Sequence, residues 1–133
     1  MKDQVVSRWI KKAEEDLLAI KNEIEFVPKD RWATSSICFH AQQAVEKYLK
    51  AYLTAKDVRV GKTHDLGYLI EECIKIDEEF KKLKSLSVEK LSLYAVEVRY
   101  PDDFYTPTLE EAEEAYKIAL SVRDFVRKKL GLE

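Results

Sequence analysis

Glycine and proline are scarce, three of each in 133 residues. That leaves little material for hairpins or for a many-turned β architecture. Cysteine is rarer still, and neither Cys38 nor Cys73 belongs to a Cys-x-x-Cys pair. With only two histidines at dissimilar spacings, no metal site is expected, and both cysteines fall at apolar helix positions, as buried thiols in a reducing cytoplasm would. Charge of one sign is also missing: 23 basic side chains face 25 acidic ones, for a net charge of −2. Attraction of the whole molecule to nucleic acid is thereby excluded. No window approaches about 18 uninterrupted apolar residues, so no span crosses a membrane. The opening Met-Lys-Asp-Gln lacks the apolar run of a signal peptide, and a cytoplasmic location is expected. There is no Gly-rich phosphate loop and no nucleophile elbow, and no cofactor is expected.

What is present favours helices. Hydrophobic residues make up 46% and charged residues 36%, enough for one core and a hydrated exterior, and the chain is read as a single domain over 1–133. A first block runs from about Gln4 to Phe26, with Trp9, Ala13, Leu17, Ile20 and Ile24 three and four apart, and Pro28 stops it. The second, about Arg31 to Lys56, is the longest and most apolar, with Ile37, Ala41, Val45, Leu49 and Tyr52 predicted as its most buried line. A third opens at Thr63, whose hydroxyl can cap free backbone amides, and runs through Ile74. A fourth, about Val88 to Val98, ends at Pro101. The fifth begins with a capping box, Thr108 answered by Glu111, and ends near Gly131. Short connections predict an all-α antiparallel up-down bundle of four long helices plus one shorter helix.

One polar stripe crosses the most apolar block. At about 100° per residue, Ser36, His40, Gln43, Lys47 and Lys50 fall within about 80° of arc, flanked by Ala33, Ala44 and Ala51. Such a stripe is either the wet side of an amphipathic helix or the lining of a groove or dimer seam, where small residues admit another backbone. Five basic residues (Lys47, Lys50, Lys56, Arg59 and Lys62) against one Asp57 then make a local patch suited to a phosphate or a few nucleotides. Lys62, Thr63 and His64 form a phosphate-contacting corner if they lie at a helix N-terminus; the alternative is local capping by Thr-His-Asp. Arg99 either complements the end of the fourth helix or grips phosphate, and Tyr100, Phe104 and Tyr105 either stack on a base or staple a loop to the core.

Taken in order, Gln42-Gln43-Ala-Val-Glu-Lys-Tyr-Leu-Lys50, Lys62-Thr-His-Asp-Leu66 and Arg99-Tyr-Pro101, with Trp9, Ala13 and Asp16-Leu17 before them and an Ala-rich last helix after, resemble the HEPN family over nearly the whole chain. The resemblance implies a helical bundle that dimerises, a minimal nucleotidyltransferase as partner in a toxin-antitoxin pair, and a nucleotide or RNA as ligand. It also implies, for many members, a metal-independent ribonuclease site in which four to six residues separate an Arg from the His that follows it. Here that His is missing: Phe104, Tyr105 and Thr106 stand in its place, and no His follows His64. The expected ligand-binding set is therefore His40, Gln43, Lys47, Lys50, Lys62, Thr63, His64 and Arg99. Only Arg99 and His64 stand as catalytic candidates, one as the cation for the phosphorane and the other as the proton-transfer group. Three functions remain open: an interaction module, a ribonuclease with a non-standard site, and a purely structural helical dimer.

Overall fold

Ile10, Ala13, Leu17 and Ile20 recur at the spacing that puts side chains on one helical face. In the computed structural model of the protein, which describes residues 1–95 and 106–132, they are buried on α1 (Lys2–Phe26). Val27 leaves that helix in extended conformation ahead of Pro28, and Trp32 closes the corner by donating its indole N–H to the Val27 carbonyl at 3.0 Å. A single 3-10 turn, Lys29–Arg31, leads into α2 (Thr34–Ala55).

α2 is the spine of the fold and packs against most other elements, α1 and the last helix above all. The predicted buried line holds: Ile37, Ala41, Val45, Leu49 and Tyr52 are all buried. Ala44 and Ala51, expected to open a seam to another molecule, are fully buried within this chain. Their missing side-chain bulk is already used by the chain's own neighbouring elements. α1 and α2 run antiparallel, since Asp16 meets Lys47 while the earlier Trp9 lies beside the later Lys50.

The third helix starts later than the sequence predicts. α3 is Leu66–Ile76, and Asp65, not Thr63, caps it by accepting the Tyr68 N–H at 3.1 Å. Thr63 instead turns its hydroxyl to the Asp65 N–H at 3.0 Å, which orders the residue that does the capping. Both residues are good caps, and the carboxylate two places nearer the apolar run prevails. A 3-10 turn, Glu78–Phe80, and the short α4 (Lys81–Lys84) follow. They set Phe80 in the core between Tyr52 and Phe125, at ring distances of 4.5 and 4.9 Å.

Val88–Ala95 is a 3-10 helix where an α-helix to Val98 is predicted. Its buried Val88 and Leu91 are three apart, a spacing that also suits three residues per turn. The rest of that block, with Arg99, Tyr100, Pro101, Phe104 and Tyr105, lies outside the described residues. α5 (Leu109–Lys129) carries the full capping box, Thr108 and Glu111 each bonding the other's backbone N–H, and Gly131 ends it at φ +71, a left-handed conformation that favours glycine. Among the described residues there is no strand, and the α-helices are three of 25, 22 and 21 residues, one of 11 and one of 4. Among them none is long and apolar enough to cross a membrane.

Candidate functional site

Two buried carboxylates organise the polar stripe of α2. Asp16 reaches it from α1 and divides its oxygens, Oδ1 lying 2.8 Å from His40 Nδ1 and Oδ2 2.7 Å from Lys47 Nζ. Glu46, on α2 itself, has Oε2 2.9 Å from Lys50 Nζ and Oε1 2.8 Å from His64 Nδ1. The Gln42 amide, fully buried, donates to the same Oε1 at 2.9 Å and accepts from Gln43 at 2.7 Å. A buried carboxylate is tolerated only when paired and hydrogen-bonded. Here each has one ammonium and one imidazole.

This chemistry fixes both histidines. A carboxylate can only accept, so the Nδ1 atoms are the donors and each Nε2 is turned away from its carboxylate. The His64 side chain is 52% exposed and the His40 side chain 30%, so a ligand can reach either. Lys50 is different. Its side chain is 4% exposed, and its ammonium lies 5.5 Å from the centre of the Trp9 ring, a cation–π contact. Its role is to hold Glu46, not to face a ligand. Lys47, expected among the phosphate ligands, is likewise the partner of Asp16, with its side chain partly exposed.

The basic patch therefore shrinks. Lys47 and Lys50 are neutralised by carboxylates, and Lys56 lies over the Tyr52 ring at 5.6 Å. Arg59 and Lys62 remain, both exposed and neither in an ion pair with a described residue. They precede His64 on the connection from α2 to α3, so the surplus positive charge of the site gathers at that corner. Thr63 is half-buried and occupied with the backbone of Asp65. Of the predicted set, then, the structure joins His40 with Lys47 through Asp16, and Gln43, Lys50 and His64 through Gln42 and Glu46. Arg99 lies outside the described residues. No group of three or more His, Cys, Asp or Glu among the described residues is arranged to hold a metal ion.

Asp16, Gln42 and Glu46 are the residues that reading the sequence misses. Two signals were available. Asp16 interrupts the apolar phase of Ala13, Leu17 and Ile20, and Glu46 stands four residues before Lys50, the spacing of a helical ion pair.

Comparison with known proteins agrees with this architecture. The HEPN domain family profile matches residues 6–129. The crystal structure of ST0689, an archaeal HEPN homologue, superposes with a TM-score of 0.64 at 23% identity, covering 93% of this chain and 96% of that one. At that identity the likeness is one of fold. No curated protein matches the sequence.

Proposed function

This chain belongs to the HEPN family, and from that premise we propose that it is an interaction module whose His64 corner holds a phosphate-bearing ligand, a nucleotide or an RNA. The observation that carries the reading is the state of His64: half exposed, pinned through Nδ1 to buried Glu46, and preceded in the chain by Arg59 and Lys62, exposed cations in no ion pair with a described residue. A pre-oriented imidazole on a connection that also carries two exposed cations suits a phosphate better than it suits open solvent. A minimal nucleotidyltransferase is the partner that family membership suggests, and a homodimer the assembly. Both belong to the proposal.

A second reading has its own support. Each imidazole is held by a carboxylate, the arrangement that keeps a histidine in one tautomer for proton transfer. With Arg99 to stabilise the phosphorane, His64 would serve a metal-independent endoribonuclease of non-standard layout. The absent His after Arg99 places the binding module first.

One experiment separates these. Nucleotides and a short single-stranded RNA are titrated against wild type, Lys62→Ala, His64→Ala and Arg99→Ala at two salt concentrations, and dimer mass, twice 15.5 kDa, is checked by light scattering on the same samples. Binding should weaken with salt and in every variant, by about five- to tenfold for each lost phosphate contact. Equal affinity in all four proteins defeats the proposal. RNA cleavage that disappears in His64→Ala and Arg99→Ala selects the ribonuclease.

A further inference from the structure

Trp9 stands at one end of the polar seam and has no place in the binding corner described above. The buried face of α1 is filled by Ile10, Ala13, Leu17 and Ile20, and Trp9 is only half-buried beside it. Its ring meets the Lys50 ammonium. It also lines a cavity of about 260 Å³ together with Val5, Arg8 and Lys12. Val5 and Lys12 lie four residues before and three after Trp9, so the helix brings them to the same side of it. No carboxylate lines this cavity. Among the described residues Arg8 is in no ion pair, and Lys12 pairs only with exposed Glu15, at 3.5 Å.

From these features we infer that Trp9, Arg8 and Lys12 form a stacking platform for one unpaired base of a single-stranded nucleic acid whose backbone continues to the His64 corner. The inference rests on the phosphate-binding reading of that corner and names its ligand class. The cavity is smaller than the roughly 300–1,000 Å³ of pockets that take a drug-sized molecule, so it suits a single ring system. An indole offers any base a π-face, and flanking cations meet the phosphates on either side of a stacked nucleotide. A basic peptide is repelled by the same two cations. Continuity comes from Lys50, which touches the Trp9 ring and, 2.9 Å away, the carboxylate that holds His64. A strand bound at the corner thus has an aromatic surface close by along the seam.

The test uses the full chain carrying Trp32→Phe, which leaves Trp9 as the sole tryptophan. Its emission is followed while a short uridine strand, an abasic strand of equal length, or inorganic phosphate is added, and affinities of labelled strands are measured in parallel. Saturable quenching by the uridine strand alone is expected, with affinity on the order of tenfold above the abasic strand. In Trp9→Leu that difference should vanish while abasic affinity stays, and Trp9→Phe should keep most of it. Equal affinity of both strands without quenching overturns the platform and leaves the phosphate corner standing. Base preference that survives in Trp9→Leu overturns it too. Binding of neither strand removes the platform. Should Trp9→Leu fail to fold, the quenching comparison decides alone.

Discussion

Lys50 and Lys129 keep the same company in different surroundings. Each ammonium is bound to carboxylate and lies over an aromatic ring, Trp9 at 5.5 Å and Phe125 at 5.6 Å. Lys50 and Glu46 are 4% and 5% exposed, whereas Lys129, with Asp77 at 2.7 Å and Glu79 also in contact, belongs to a cluster in which Glu79 is 59% exposed. Water competes for every charge in the second cluster and for almost none in the first. Around Lys50 the loss of one partner strands a charge; around Lys129 the solvent replaces it. The same residue types thus make a structural necessity in one place and an adjustable surface feature in the other.

Val45→Asp sharpens that contrast most severely. It sets a carboxylate one residue before Glu46, on the face of α2 where neither lysine nor imidazole is in reach. The protein should not fold cooperatively, a loss of more than about 4 kcal/mol from burying an unpaired charge. A soluble variant with unchanged melting temperature would break the assignment of α2 to the core.

That core face was legible in the sequence because a helical period is a local property, and so were the Pro28 stop, the capping box at Thr108 and the end at Gly131. The donors of the site were legible as a stripe for the same reason. The pairings across the fold were not. Asp16 lies 24 residues from His40 and 31 from Lys47, and Glu46 lies 18 from His64, so only folding brings them together. The start of α3 was misplaced because Thr63 and Asp65 are both competent caps, and the choice depends on which one meets the first buried leucine, Leu66. Ala44 and Ala51 signalled close approach correctly but could not say whose backbone approaches.

Next in size is Lys50→Met. Removing the ammonium while Glu46 stays buried should lower stability by about 3–5 kcal/mol, measured by denaturant unfolding. Adding Glu46→Leu should recover much of this while leaving His64 without its anchor, so ligand affinity should fall in a protein that is stable again. If the double variant is no more stable than Lys50→Met, the buried pair is not the source of the loss.

Lys129→Met should have the smallest effect, with a melting temperature near that of wild type at neutral pH. Its signature is in the pH dependence. Hydrogen bonds from Lys129 hold Asp77 and Glu79 below their ordinary values of 3.8 and 4.5, and donating those bonds raises Lys129 above 10.5. For a lowered carboxylate the stabilisation is complete above its ordinary value and is lost as pH falls through its folded value. For a raised lysine it is complete below 10.5 and is lost as pH rises through its folded value. Wild type and Lys129→Met should therefore differ most between about pH 4.5 and 10.5 and converge below that window. A gap that persists into strong acid would show that Lys129 contributes through packing on Phe125 instead of charge.

Asp16 also acts as a gauge of alignment. It takes His40 on one oxygen and Lys47 on the other, two residues seven apart on the facing helix. Sliding α1 along α2 by a single turn, about 5.4 Å, would leave much of the apolar contact intact, since leucine, isoleucine and alanine tolerate many neighbours. The carboxylate tolerates few. In any shifted register it would lie in the interior with one partner or none, a state that burial penalises heavily. The apolar residues drive the two helices together, and this one charge selects, from several near-equivalent alignments, the register in which Trp9 also meets Lys50.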